Sequence, residues 1–345
     1  MATQAEIARR AGVSQMTVSR ALRGHPHVDA ATRARVLEMA REIGYGAALN
    51  GDARRLASRR RGGVVRTHIV CILRYAPGQA RVWHDPWAGL LSEAMQAPLF
   101  DAEMQVLLAD IRESRVPANL RAGVADGILA ICPRSDVVEA LTKLDVPVVG
   151  VANTLLPSYA CQDDYAVGRI ATEHLLSLGH TRIALFHPLA SPNARLRQQG
   201  FVDALESAGR SPDPDLIVTA EGERAEEAVP LFQELWRRRQ DFTALVAYND
   251  EVAAWLLRAA EGQGIEVPRD LSIIGVDDLP WVTLLKPSLT TVRLPLMEIG
   301  EAAARILLQR LTAWWRGEPD PPAGEAACRL PVELVVRGTT APAPR

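Results

Sequence analysis

The sequence is nearly without lysine: of its 39 basic residues only Lys143 and Lys286 are not arginine. No mechanism attaches to that bias, but other scarcities exclude whole classes of protein. No apolar run approaches the roughly eighteen residues of a membrane span. The first residues are polar and helix-forming rather than a signal sequence, so a cytoplasmic chain with no membrane partner is expected. The four cysteines, Cys71, Cys132, Cys161 and Cys328, lie far apart, with no C-x-x-C pair and no nearby pair of histidines. That argues against a zinc site and a disulfide framework, and buried thiols are the expected reading. No G-x-G-x-x-G, P-loop or G-x-S-x-G motif occurs. Catalysis has no residues to rest on, so no enzyme, cofactor or metal is expected.

What is present is an uneven spread of charge. The composition, 48% apolar and 23% charged, is that of a soluble globular protein, and 345 residues suggest two or three domains. Residues 1–61 hold twelve arginines and five acids, a net +7; the whole chain is −2, which leaves −9 on the remainder. A basic head on an acidic body is suited to a polyanion.

Within the head, Ala5, Ile7, Ala8 and Ala11 recur at helical spacing on one face. Gly12 stands where that helix must stop, since glycine enters the left-handed conformation without steric cost. Ser14 can cap a second helix from Gln15, with Val18 and Leu22 turned back onto the first. Gln15, Met16, Thr17, Ser19 and Arg20 are then left outward. A short exposed helix carrying amide, hydroxyl and guanidinium groups suits the DNA major groove, and the pattern reads as a helix-turn-helix. A plain helical hairpin with a solvated polar face is the alternative, and the charge argues against it. Asp29 can cap a third helix running to about Ile43, with Val36, Leu37, Ala40 and Ile43 as its apolar stripe. Residues Asp52–Ser58 could form one or two further turns, but a helix so short needs a partner.

From Thr67 onward short apolar runs alternate with amphipathic helices. Strands are expected at His68–Leu73, Met104–Ala109, Gly127–Ile131, Pro147–Val151, Arg182–Phe186, Leu216–Thr219, Ala244–Ala247 and Ser272–Val276, with a last one at Leu334–Val336. Helices are expected near Pro86–Phe100, Ser135–Leu144, Tyr165–Leu178, Ala194–Ala208, Arg224–Arg238, Asp250–Glu261 and Leu296–Ala313. Such alternation builds parallel sheets flanked by helices, with ligands beyond the carboxyl ends of the strands. There are too many units for one open sheet, so two lobes are expected.

Specific motifs then enter. Ala11-Gly12-Val13-Ser14, Thr17-Val18-Ser19-Arg20, Gly44-Tyr45 and Ala53-Arg54-x-Leu56 follow one another in the head. The body carries Leu178-Gly179-His180, Arg197-x-x-Gly200-Phe201, Asn249-Asp250, Gly275-x-Asp277-Asp278 and Pro287-x-Leu289-Thr290-Thr291. In order and spacing these resemble the lactose-repressor (LacI/GalR) family, nearly end to end. The resemblance implies an all-α helix-turn-helix head (1–46), a hinge (47–63) and an α/β two-lobed, periplasmic-binding-protein-like (type I) core (64–340). The first lobe would comprise about 64–162 and 293–322, the second about 163–292 and 323–340.

The resemblance also implies a homodimer on palindromic operator DNA, a repressor controlled by a small sugar-like effector between the lobes. Gln15, Met16 and Arg20 would read bases and Ser14, Thr17 and Ser19 would meet phosphates. Leu56, beside Arg54, would wedge into the minor groove at the operator centre. The hinge departs from the family pattern: Gly46–Asp52 has no proline and about two extra residues, so a plain linker remains an alternative. Arg197, Asn249 and Asp277 fall on effector-contact positions. Ala152, Leu294 and Arg224 replace polar or stacking contacts, and Arg74 ends the first core strand. Three arginines, Arg74, Arg197 and Arg224, on one pocket would suit an acidic or phosphorylated sugar. Trp83, Trp87 and Trp281 are candidates for stacking on a ring. The chain ends without a heptad helix, so a dimer is expected rather than a tetramer built that way. The rival readings are a solute-binding protein, and an activator of the same fold for another ligand class such as a purine.

Overall fold

The computed structural model describes residues 4–22, 25, 28–42, 66–75, 86–111, 116–121, 123–131, 135–188, 192–220, 225–238, 241–318 and 326–344. The expected hinge turns over Asp52–Ser58, with Arg54 and Leu56, lie outside them.

The head has three helices, α1 (Gln4–Ala11), α2 (Gln15–Leu22) and α3 (Ala30–Glu42). Gly12 joins the first two with φ at +64°, the left-handed turn that halts a helix. Ile7, Ala11, Val18, Ala21, Val28, Val36 and Ala40 close a small core of their own. Leu37, expected in the apolar stripe of α3, is instead 38% exposed. One residue further along a helix than Val36 turns it about 100° away from the core.

The body follows with β1 (Ile69–Tyr75), α4 (Pro86–Asp101), β2 (Gln105–Ile111), β3 (Gly127–Ile131), α5 (Ser135–Thr142), β4 (Val148–Val151) and β5 (Tyr159–Gln162). Then come α6 (Asp164–Ser177), β6 (Ile183–Pro188), α7 (Pro192–Ser207), β7 (Ile217–Ala220), α8 (Ala228–Arg238), β8 (Ala244–Ala247), α9 (Asp250–Glu261), β9 (Ser272–Asp277) and β10 (Thr290–Arg293). Helix α10 (Leu296–Trp315) and strands β11 (Ala327–Leu330) and β12 (Glu333–Val335) finish the fold.

Two six-stranded sheets result, in the orders β11-β5-β4-β3-β1-β2 and β12-β10-β9-β8-β6-β7. The pairings are parallel except β10 with β12. Alternation along β1 sends Val70 and Ile72 to the side of α4, where Leu91, Met95 and Leu99 meet them, and Cys71 and Leu73 to the other face with Ile128 and Val137. Burial on both faces is why these strands read as unbroken apolar runs.

The chain crosses between sheets three times: after Gln162, after Arg293 and after Leu330. The last crossing corrects the expected division of the lobes. Residues 323–340 were expected in the second lobe, yet β11 pairs in parallel with β5 of the first sheet, Cys328 opposite Ala160. Helix α10, packed on α4, returns the chain to the first lobe, and the β5 edge offers unpaired backbone groups for one more strand. One carboxylate ties the second and third crossings together. Asp278 accepts from Arg293 Nε at 2.7 Å and from an Arg337 guanidinium nitrogen at 2.5 Å.

The C-terminal residues fasten back onto the second lobe. Thr339 Oγ1 donates to the Ile273 carbonyl, and the Ala343 N–H to the Leu178 carbonyl. His180 stands beneath them, its Nε2 3.0 Å from the Ala341 carbonyl and its Nδ1 2.8 Å from Thr243 Oγ1. The carbonyl can only accept, so Nε2 carries the proton and Nδ1 accepts from the threonine.

Candidate DNA-reading and effector sites

Helix α2 owes its presentation to its cap. Ser14 Oγ accepts from the Thr17 N–H at 3.1 Å and lies 2.9 Å from Thr17 Oγ1. Both hydroxyls are thus occupied in the cap, where the first free N–H groups of a helix also favour an anion such as a phosphate. Val18 is fully buried against α1, which leaves Gln15, Met16 (62% exposed) and Arg20 on the outer face. Thr17 and Ser19 are half-buried at its flanks. The six DNA-contact residues expected in the head therefore share one short helix and its cap. Glu6 takes Arg9 and Arg10 on α1, and that pairing holds its carboxyl below the usual range.

The second site is built where the carboxyl ends of the sheets meet. In the order of the second sheet, β6 and β8 are neighbours at the point where the strand sequence reverses, the place where such folds bind ligands. Arg197, from α7, reaches this point. It is buried, donates from Nε to Asp164 Oδ1 at 2.8 Å and from a terminal nitrogen to the Tyr248 carbonyl at 2.6 Å. Its guanidinium also lies over the Tyr248 ring, 4.6 Å from the centroid. Burial penalises this charge, but the Asp164 carboxylate, with Tyr248 and Asp277 beyond it, more than reverses the effect and holds the guanidinium above its ordinary range. Burial likewise raises the Asp164 carboxyl against the pull of Arg197.

Around this pair the lobes are stitched by polar contacts. Gln162 Nε2 donates to Asp164 Oδ2 at 2.8 Å and more weakly to the Ala152 carbonyl at 3.4 Å. Asn193, at the start of α7, donates to the same carbonyl at 2.9 Å from the other lobe. Ala152 has φ +60°, a left-handed turn that aims its carbonyl across the gap. Gln162, Asp164, Asn193 and Tyr248 escape sequence reasoning, since nothing in the local pattern says which side chains meet Arg197.

The expected effector residues fare unequally. Asn249, half-buried, caps α9 through Oδ1 on the Val252 N–H at 2.8 Å, so its Nδ2 is the group it can offer a ligand. Asp277 is buried at the end of β9 with φ 121° and acts electrostatically on Arg197. Arg74 is half-buried near the end of β1, beside Asp110 in the strand register. Arg224 lies outside the described residues. The three arginines therefore do not form a described trio: the Arg197 charge is already matched by Asp164. Leu294 is buried, Trp87 and Trp281 pack against the main core, and Trp83 lies outside the described residues.

Among the described residues no cluster of three metal-ligating side chains occurs, and no helix is long and apolar enough to cross a membrane. Cys71 and Cys161 are buried free thiols, pushed up by burial to about 12 and about 11.

Comparison with known proteins agrees with this architecture at both ends. Residues 3–47 match the model of bacterial regulatory proteins of the lacI family, and residues 172–340 match the periplasmic binding protein-like domain. The HTH-type transcriptional regulator MalR of Streptomyces coelicolor is 32% identical over 376 residues, spanning 99% of this chain and 97% of that protein. The complex of the transcriptional regulator CelR with cellobiose superposes with a TM-score of 0.70 at 26% identity, covering 98% of this chain and all of the other. The lac repressor dimer bound to operator and the anti-inducer ONPF superposes at 0.64 with 25% identity, covering 99% of each chain. A head built to expose one polar helix, a body of two linked lobes and relatives alike over the full length place this chain in the LacI family of bacterial regulatory proteins, as a DNA-binding transcriptional regulator.

Proposed function

We propose that the chain is a homodimeric, cytoplasmic repressor without enzymatic activity, holding a palindromic operator until a sugar-class effector binds between its lobes. The observation that carries the effector reading is the arrangement at Arg197: a buried guanidinium, its matched carboxylate and an Asn193–Ala152 bridge between lobes, all at the carboxyl ends of the parallel strands of the two sheets. A ligand at this position touches both lobes and so favours one closure over the other, which is the differential affinity a switch requires. CelR holds cellobiose and the lac repressor holds its operator as a dimer; both likenesses support carrying the sugar and the dimer over to this chain.

Arg197, Asn249 and Asp277 are the proposed effector contacts, with Arg74 and Arg224 as further candidates. Because Asp164 already neutralises Arg197, a neutral polyol fits better than an acidic or phosphorylated sugar. On DNA, Gln15, Met16 and Arg20 read base edges, Ser14, Thr17 and Ser19 meet phosphates, and Arg54 and Leu56 enter the minor groove from the hinge. The proposed division is 1–46 for the head, 47–63 for the hinge and 64–340 for the core, amended by β11.

A gel-shift titration tests both halves. DNA selected from a random pool by the full-length protein should show dyad symmetry, and binding should weaken steeply with salt. Neutral sugars should release it more readily than sugar acids. Binding indifferent to salt would sink the DNA reading, and release by sugar acids alone would restore the acidic effector.

A further inference from the structure

Gln162 ends β5 at the first crossing between lobes and is 2% exposed. Its amide orientation is fixed by its neighbours. Nε2 faces the Ala152 carbonyl and the Asp164 carboxylate, both of which only accept. Turning the amide over would set its oxygen against two others. The Oε1 atom is therefore the one left over, and it is buried with no donor among the described residues. The acceptors beside it are all in use. Asp164 Oδ1 takes Arg197, Asp164 Oδ2 takes Gln162, and the Ala152 carbonyl also takes Asn193. A buried acceptor left empty is costly, and those that persist in folded proteins call for a specific explanation.

We propose that Gln162 is a specificity-determining residue of the effector site, its Oε1 accepting a hydrogen bond from a hydroxyl of the sugar held between the lobes. The inference rests on the sugar reading above and adds the side chain that distinguishes a sugar bearing that hydroxyl from one lacking it. A site with a fixed, desolvated acceptor rejects an analogue without the matching donor far better than an apolar wall does. The relay also makes the acceptor rigid: Arg197 orients Asp164, which orients the amide.

The test uses the full-length protein, calorimetry and four probes: cellobiose, maltose, galactose and ribose. With a probe that binds, Gln162→Met, of similar length but without the amide, should weaken binding about tenfold. One monodeoxy analogue of that probe should weaken wild-type binding by a similar factor and weaken Gln162→Met no further. A purely structural role for Gln162 would not make the two losses merge. If Gln162→Met binds the probe as wild type does, or if every deoxy analogue affects both proteins equally, a trapped water satisfies Oε1 and the inference fails while the sugar reading stands. If wild type binds none of the four probes, the sugar reading falls and takes this inference with it. Should Gln162→Met not fold, a crystal structure of wild type with the bound probe decides. A sugar hydroxyl within hydrogen-bond distance of Oε1 supports the assignment, and a water or nothing there overturns it.

Discussion

Gly168 lies so close to the backbone of Arg197 that a Cβ on it would stand 1.8 Å from the Arg197 carbonyl oxygen. Gly200 mirrors it, with its missing Cβ 2.1 Å from the Tyr165 carbonyl. Helices α6 and α7 thus cross backbone against backbone, and that closeness brings Arg197 within reach of Asp164. Gly168→Ala or Gly200→Ala should cost about 3 kcal/mol or more, because backbone cannot yield as a side chain does. Gly89, exposed on α4 with nothing within 4 Å of its missing Cβ, is the control. There alanine should stabilise by roughly 0.5–1 kcal/mol. Urea unfolding measures both signs.

Ser14 and Arg20 should separate stability from reading. Ser14→Ala removes the acceptor of the Thr17 N–H and should cost the head about 1 kcal/mol in thermal unfolding. Arg20→Ala, on an exposed position, should leave unfolding within about 0.5 kcal/mol. It should narrow the gap between selected and random DNA by about 1–3 kcal/mol in competitive gel shifts. Equal discrimination by wild type and variant would remove Arg20 from the reading face.

The buried Asp164–Arg197 pair should respond unevenly to single and double substitution. Asp164→Asn strands a cation away from water, and a loss of about 3–5 kcal/mol is expected. Adding Arg197→Met to that variant should restore much of the stability while leaving sugar binding absent. A denaturation cycle over the four proteins gives the coupling. Additive losses would mean that the pair does not act as a unit.

His180 supplies a pH dependence. Burial lowers its pKa below the ordinary histidine value of 6.5, and the same holds for His174, which also feels the nearby His180 charge. A depressed folded pKa means that the unfolded chain binds the proton more readily. The stability His180 contributes is therefore present above about pH 6.5 and is lost as the pH falls through the folded value. His180→Ala should cost roughly 2 kcal/mol at pH 7.5, and its deficit against wild type should shrink by pH 5. A deficit constant across that range would mean that His180 does not titrate with unfolding.

Much of this could be read along the chain, and what could not shares a cause. Strands at Gly127–Ile131 and Ala244–Ala247 lie where their apolar runs place them, and α9 spans the expected Asp250–Glu261. These elements are buried on both faces or strongly amphipathic, so pattern suffices. Strands β5, β10 and β11 were not anticipated. Each is four residues long, and three of the four residues of Thr290–Arg293 are polar, with Thr290 and Thr291 bonding to Thr340 and Asp250. In the same way Arg197 was legible as a ligand residue, while Gln162 and Asp164 gain their meaning only from its arrival across the α6–α7 crossing. The glycines of the motifs were visible; the backbones they make room for were not.

Asp278 grips Arg293 as the chain leaves the second lobe and Arg337 soon after it has come back. Both passages are clamped on that side, so bending falls to the few residues beyond the clamp, 294–295 and 331–332, and to the first passage near residue 163. The strands that flank these passages are neighbours in their sheets, β5 beside β11 and β10 beside β12. Any change in how the two lobes face one another is therefore confined to three short stretches of backbone.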